Sequence, residues 1–167
     1  CMVFSGHGGI VLGSETAAGI NNVVAKNCEF YGTDRGIRIK TRRKRGGALK
    51  NLSFENLTIK DCLCPLAINM YYVCGASPDD EYLFSTEKQE VDDSTPSIKD
   101  VIIKSVRATG CKASAGFIAG LPESPVENIT ISDCYFETDE KSEKSPDLSD
   151  MFAGLPSVSK KSFRIIN

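Results

Sequence analysis

INNVVAKNCEF, residues 20–30, is the stretch that decides the fold, because the chain repeats its pattern three more times. The other copies are LKNLSFENLTI from residue 49, IKDVIIKSVRA from residue 98 and VENITISDCYF from residue 126. Each copy begins with an aliphatic residue and continues with alternating apolar residues. The third position is always Asn or Asp, in the form of Asn22, Asn51, Asp100 and Asn128. This fixed spacing predicts a ladder of turn residues.

The spacing of the copies predicts the domain organisation. They start at residues 20, 49, 98 and 126, so the intervals are 29, 49 and 28 residues. The repeating unit is therefore about 28 residues long, and the middle interval contains an additional insertion. We assign the polar stretch 75–97 to this insertion loop and residues 137–150 to a second, mobile polar loop. The whole chain, 1–167, is predicted to be one domain.

Each unit contains at least two short strands, because period-2 alternation and β-branched residues dominate and helical periodicity is almost absent. A second set of strands lies in GGIVLGS, RGIRIKT, CPLAINM and AGFIAGL, which start at residues 8, 35, 64 and 115. Such a unit cannot bury its apolar face alone and must stack on its neighbours. A leucine-rich solenoid would need a helical segment in each repeat, and a β-sandwich would lack the constant period. The sequence predicts an all-β parallel β-helix of about five coils.

The strand RGIRIK, residues 35–40, is expected to turn two cations outward. Alternate residues of a strand share a face, so Ile37 and Ile39 should enter the core while Arg38 and Lys40 lie side by side outside. Stacking the repeats then predicts two outer columns, which are Val11, Arg38, Ala67 and Gly13, Lys40, Asn69. Two exposed cations among small or neutral groups suit a carboxylate ligand, because Arg offers a planar fork and Lys a point charge.

The basic run that follows, residues 42–45, carries a weaker signal. It precedes Gly46 and Gly47 and is assigned to a turn. A solvated loop and an electrostatic funnel for an anionic polymer are both compatible with it. Nucleic-acid binding is disfavoured, because no aromatic residue lies between residues 35 and 49 to stack on bases.

Composition excludes other classes of protein. Apolar residues make up 41% of the chain, charged residues 25%, and the formal net charge is -2. No run of 18 apolar residues exists, so no membrane span is expected. The seven cysteines form no CxxC pair and His7 is the only histidine, so neither a metal site nor a cofactor is predicted. The opening CMVFSGHGG is neither a signal peptide nor an ordinary start. We therefore expect the C-terminal portion of a longer chain, whose upstream coils would be partners of this one.

Three motifs in order resemble the polygalacturonases of glycoside hydrolase family 28, which are right-handed parallel β-helix enzymes that hydrolyse pectin. Gly6-His7-Gly8 matches the family's GHG, and Arg38-Ile39-Lys40 matches its RIK about one coil later. Tyr72, in INMYY, falls where the family has an active-site tyrosine, although Tyr71 is adjacent. The resemblance extends from residue 5 to about residue 136.

The resemblance implies roles for these residues. Arg38 and Lys40 would bind the carboxylate of galacturonate beside the scissile bond, and Tyr72 would contact the sugar. His7 would be the catalytic-centre histidine, hydrogen-bonded to the catalytic carboxylates. A purely structural role remains open for two of these residues: His7 as a turn residue hydrogen-bonded to its neighbours, and Tyr72 as a core or loop aromatic.

The chain also departs from the family pattern. The family's catalytic acids come from an NTD segment and a DD pair upstream of GHG, and almost nothing precedes His7 here. The resemblance therefore implies an inverting hydrolase of α-1,4-galacturonosidic bonds in the longer parent, with pectin or oligogalacturonate as its substrate and an inactive isolated chain. The alternative is a non-catalytic β-helix module that binds an acidic polysaccharide. Extracellular and cytoplasmic locations are both left open.

Overall fold

The computed structural model describes residues 1–77, 79–150 and 161–166. Within these residues the strands, numbered along the chain, are β1 Met2–Gly6, β2 Ile10–Leu12, β3 Ile20–Thr33, β4 Arg35–Lys40, β5 Ala48–Lys60, β6 Cys64–Asn69, β7 Ser97–Cys111, β8 Phe117–Ala119, β9 Glu127–Ser132, β10 Tyr135–Thr138 and β11 Arg164–Ile166. The helical segments are α1, Glu81–Phe84, and one 3-10 turn, Pro146–Ser149. In this described part, no helix has the length and apolarity needed to cross a membrane.

The strands form two parallel ladders that run along the molecule. One ladder has the order β1-β3-β5-β7-β10, with β9 also paired to β7, and the other has the order β11-β8-β6-β4-β2. The long strands bend and serve two faces: β9 pairs with the first part of β7, and β10 pairs with its second part. Every neighbouring strand comes from the previous or the next coil, so the chain is a parallel β-helix. The predicted fold class is confirmed.

The register between coils follows the repeat. Ile20 pairs with Leu49, and Leu49 pairs with Ile98, as the alignment of the copies predicts. In the second ladder Ile37 lies between Ile10 and Leu66. The inward side chains of these strands form one continuous core, in which Ile37, Ile39 and Leu49 have no exposed surface. Burial of this apolar surface between coils is the main stabilising term.

The predicted ladder of turn residues is present at a corner of the coil. Asn22, Asn51, Asp100 and Asn128 have φ of 59°, 55°, 57° and 50°, a left-handed conformation that Asn and Asp tolerate better than other non-glycine residues. Asn51 Nδ2 donates to Asn22 Oδ1 at 3.2 Å, and Asn128 Nδ2 donates to Asp100 Oδ1 at 3.0 Å. The repeated Asn or Asp therefore bends each coil at the same place.

Replacing Asn51 with alanine tests this corner. We expect a loss of about 1–2 kcal/mol in the free energy of unfolding, because alanine is strained at positive φ. Glycine at the same position should lose less, since it has no Cβ. Urea unfolding of both variants measures the difference, with Lys50→Ala on the adjacent residue as the control. Equal losses in the alanine and glycine variants would assign the effect to the side-chain ladder instead of the backbone.

The two segments assigned to loops contain more structure than the sequence indicated. The insertion 75–97 carries α1, whose N-cap Asp80 accepts a hydrogen bond from Leu83 N at 3.0 Å. In the segment 137–150, β10 extends to Thr138, and the 3-10 turn ends in Ser149 and Asp150, which are 0% and 2% exposed. These buried side chains bind this end of the segment to the β-helix, whereas the mobility predicted for the segment stays a prediction.

Candidate functional site

The candidate site lies on the outer face of β4. Ile37 and Ile39 point into the core, and Arg38 and Lys40 alternate with them. Arg38 pairs across the ladder with Val11 on one side and Ala67 on the other, and Lys40 pairs with Asn69. The predicted alternation is confirmed, and so are the stacking of Arg38 with Val11 and Ala67 and of Lys40 with Asn69. The pairing of β2 with β4 ends at Leu12, so it does not include the predicted partner Gly13.

Arg38 differs from the expectation in its exposure. Its side chain is only 2% exposed, and its Nη2 donates a hydrogen bond to Asp150 Oδ1 in a buried ion pair. Asn69 Nδ2 donates to the other carboxylate oxygen of Asp150 at 2.9 Å. The prediction of an exposed guanidinium is therefore wrong, because residues 148–150 fold over it and supply a carboxylate from within the chain.

Arg35, at the start of β4, holds the same covering segment. Its Nε donates to Ser149 O at 3.0 Å, and its Nη2 donates to Leu148 O at 2.6 Å. Burial lowers the pKa of Arg35, an effect opposed by the charge of Asp150. The two arginines of β4 thus bind one segment: Arg35 through its backbone carbonyls, and Arg38 through the side-chain carboxylate of Asp150.

Lys40 and Tyr72 form the remaining part of the site, in which Lys40 is partly exposed and Tyr72 is buried, with 4% of its surface exposed. Lys40 Nζ lies 4.6 Å from the centre of the Tyr72 ring and 3.4 Å from its hydroxyl oxygen. The Arg38 guanidinium carbon lies 5.2 Å from the same ring centre, so one aromatic ring contacts both cations. Burial lowers the pKa of Lys40, and the positive charge of Arg38 lowers it further. Burial likewise raises the pKa of Tyr72.

His7 lies at the other end of the same face. Its Nδ1 is 2.8 Å from Asp34 Oδ2, and its side chain is 75% exposed. The same oxygen of Asp34 is 3.4 Å from Arg35 Nη1. His7 is thereby connected through Asp34 and Arg35 to the segment that covers Arg38, while its own ring remains open to solvent.

The basic run 42–45 is not simply a solvated loop. Arg43 is 1% exposed and forms a buried ion pair with Glu123, with Nε 2.6 Å from Oε1. Burial raises the pKa of Glu123, but the hydrogen bonds from Arg43 and from the backbone of Glu123 and Gln89, together with the charge of Arg43, leave this pKa below its usual value. Both interpretations of the run as free charge are wrong for Arg43, because protein groups neutralise it.

Sequence reasoning missed Asp150 and Asn69 as members of the site. The repeat puts Asn69 beside Lys40 as a neutral neighbour, and the polar composition of residues 137–150 predicts a loop for Asp150. The only sequence signal for Asp150 is a capping pattern, in which Ser145 accepts from Asp147 N before the turn. Within the ranges that the structure describes, no group of three or more His, Cys, Asp or Glu is arranged to bind a metal ion.

Comparison with known proteins gives the family. The model of glycosyl hydrolases family 28 matches residues 1–151, which is most of the chain. The chain therefore belongs to glycosyl hydrolases family 28.

Individual proteins resemble the chain over parts of their length. A polygalacturonase of Cryptomeria japonica is 29% identical over 132 residues, which cover 77% of this chain and 24% of that protein. An exo-poly-alpha-D-galacturonosidase of Dickeya chrysanthemi is 29% identical over 152 residues, covering 76% of this chain and 25% of that one. A solved family 28 exopolygalacturonase of Yersinia enterocolitica aligns with 86% of this chain and 30% of its own, at a TM-score of 0.47 and 18% identity. The chain thus spans about a quarter of the length of these curated relatives.

Proposed function

We propose that this chain forms the uronate-binding part of an enzyme that hydrolyses the α-1,4-galacturonosidic bonds of polygalacturonate with inversion. The observation that carries the proposal is the Lys40 ammonium held 4.6 Å from the ring of Tyr72 on the outer wall of a family 28 β-helix. A cation held in this way suits an acidic sugar, because its charge binds the sugar carboxylate, and the Tyr72 ring, which is 4% exposed, packs against that cation.

Lys40 is the cation that a substrate carboxylate meets first in this proposal. Arg38 belongs to the same site, and its Nε has no hydrogen-bond partner among the described residues. Its guanidinium is nevertheless buried and already paired with Asp150. Tyr72, which contacts both cations, is proposed to contact the sugar ring.

His7 is proposed to orient a catalytic carboxylate. Asp34 is bonded to its Nδ1, and the His7 side chain is 75% exposed, so its other ring nitrogen is proposed to face a further group. Inversion requires two carboxyl functions about 6.5–9.5 Å apart, one protonating the leaving oxygen and one activating water. The carboxylates that contact the site, Asp34 and Asp150, are each bonded to two side chains of the chain itself. We therefore place the acid and the base in residues outside these 167.

A non-catalytic module that binds an acidic polysaccharide is the second candidate. The engagement of Asp34 and Asp150 by other side chains favours this candidate, because a site whose carboxylates are all engaged binds an anion without supplying a proton. The two candidates share Lys40 and Tyr72 and differ only in whether bonds are cleaved.

Binding and cleavage are measured separately on the purified chain. Calorimetry should detect binding of tetragalacturonate, and its fully methyl-esterified form should bind at least about tenfold more weakly, since a charge-assisted hydrogen bond contributes roughly 1.5–3 kcal/mol. A reducing-end assay on polygalacturonate should show no turnover. Equal affinity for the esterified sugar would refute uronate recognition, and clear turnover would refute the placement of the acid and base.

A further inference from the structure

The turn that follows β4 contains three arginines that bind the insertion 75–97 and Cys74, the residue just before it. Arg45 Nη2 donates to Cys74 O at 2.9 Å, and Arg42 Nη2 donates to Gly75 O at 3.1 Å. These carbonyls lie two and three residues after Tyr72. We call Arg42, Arg43 and Arg45 the arginine clamp.

Arg43 makes the most extensive contacts of the clamp. Its Nη1 lies 3.1, 3.1 and 2.8 Å from the carbonyl oxygens of Tyr82, Leu83 and Ser85, at the α1 end of the insertion. Its Nε and Nη2 donate to the two carboxylate oxygens of Glu123 at 2.6 and 2.9 Å. One buried guanidinium therefore joins the insertion to the loop after β8, which contains Glu123.

The same guanidinium contacts Tyr71, the first of the two tyrosines that follow β6. Its carbon lies 5.7 Å from the ring centre of Tyr71, and Tyr71 is 1% exposed. Tyr71 N donates to Asn69 Oδ1 at 2.8 Å, and Tyr72 N donates to Thr41 O at 3.1 Å. Tyr72 is thus held between a strand that is fixed by the β-helix and a segment that is fixed by the clamp.

We propose that Arg43 is a positioning residue of the uronate site, which acts through the insertion and Tyr71 to hold the Tyr72 ring against Lys40. Lysine cannot replace it, because a single ammonium cannot form the planar two-bond contact to Glu123 and reach three carbonyls as well. The consequence for ligand affinity rests on the proposed function, whereas the consequence for the ring of Tyr72 does not.

Arg43→Lys is the test, with Arg107→Lys as the matched control. Arg107 is an exposed arginine whose guanidinium carbon lies 4.5 Å from the ring centre of Tyr135, away from the insertion. In Arg43→Lys we expect the backbone amides of residues 79–89 to exchange with deuterium at least about tenfold faster, since local opening sets this rate. The control should leave these amides unchanged.

The ring contact is read directly by NMR. In the unmodified chain the ε-methylene protons of Lys40 should be displaced by the ring current of Tyr72, and Arg43→Lys should reduce that displacement by at least half. Faster exchange without a change at Lys40 would reduce Arg43 to a structural role and overturn the proposal. If Arg43→Lys fails to fold, Glu123→Gln replaces it in the test, because it keeps Arg43 and the shape of the site. It should give the same faster amide exchange and reduced Lys40 displacement, but smaller in size.

Affinity then separates this inference from the proposed function. Tetragalacturonate should bind Arg43→Lys several-fold more weakly than the unmodified chain and bind Arg107→Lys equally well. If the unmodified chain binds no uronate, the proposed function fails, while the Lys40 resonances still decide whether Arg43 positions Tyr72. Unchanged affinity together with a lost ring contact would contradict the link to the uronate site.

Discussion

Lys40→Ala is expected to weaken the binding of tetragalacturonate between about tenfold and a hundredfold, which corresponds to the roughly 1.5–3 kcal/mol of a hydrogen bond to a charged group. The effect is large because the other cation beside Tyr72, Arg38, is already neutralised by Asp150. Removing the Lys40 ammonium leaves no cation at this position whose charge is free to meet a carboxylate. Calorimetry on the folded variant measures the loss.

Lys44→Ala is the matched control for this prediction. Lys44 is exposed and lies 4.9 Å from the ring centre of Tyr82, so it removes the same charge from a nearby aromatic contact. Its effect on affinity should be small and should disappear at high salt, because exposed charges are screened. Equal losses in the two variants would show that general electrostatic attraction, and not a defined site, binds the uronate.

The pH dependence of binding has a definite direction. Carboxylate binding needs the charged ammonium, and burial together with the charge of Arg38 lowers the pKa of Lys40. The charge is therefore lost at a lower pH than for an ordinary lysine, and affinity should decline before the usual lysine range is reached. In Lys40→Ala this alkaline decline should be absent.

Asp150→Ala should reduce the free energy of unfolding by about 3–5 kcal/mol, the usual cost of breaking a buried ion pair from one side. The cost arises because the Arg38 guanidinium, 2% exposed, would remain buried without its carboxylate. Asn69 Nδ2 would also lose its acceptor. Urea unfolding followed by circular dichroism measures the change.

Two further variants make this prediction specific. Glu143→Gln removes an exposed carboxylate from the same segment and should change stability by less than about 0.5 kcal/mol. The double replacement Arg38→Met with Asp150→Leu should recover much of the loss, because a buried pair exchanged for apolar groups of similar volume is often neutral. An Asp150→Ala variant as stable as the unmodified chain would show that the pair contributes no net stability.

The fold follows from the sequence because its determinants are local and periodic. Strand alternation directs Ile37 and Ile39 into the core and Arg38 to the opposite face of the strand, whatever segment then covers that face. The recurring Asn or Asp marks each corner, since positive φ is a property of single residues. A period of about 28 residues then fixes which strands become neighbours. Lys40 and its stacking partner Asn69 are accordingly where the pattern predicts.

The buried partners of the arginines at the site do not follow from the sequence in the same way. Asp150 is 112 positions from Arg38, and Glu123 is 80 positions from Arg43. No periodicity relates these partners, because they lie in segments outside the repeat. A basic run looks solvated when only its composition is considered, whereas burial depends on which distant segment covers it. The same reason explains why the helix α1, only four residues long, was assigned to a loop.

The coil geometry on either side of the insertion affects how this protein can change over generations. The connection between β6 and β7 is much longer than the corresponding turns of the other coils, which span only residues 13–19 and 41–47. Nevertheless, β5 and β7 stay aligned from Ala48↔Ser97 to Lys60↔Thr109. Lengthening or shortening this connection therefore leaves the pairing register of the β-helix strands unchanged. Mutation and selection can remodel the region next to Tyr72, and with it the ligand preference of the proposed uronate site, while the architecture is inherited unchanged.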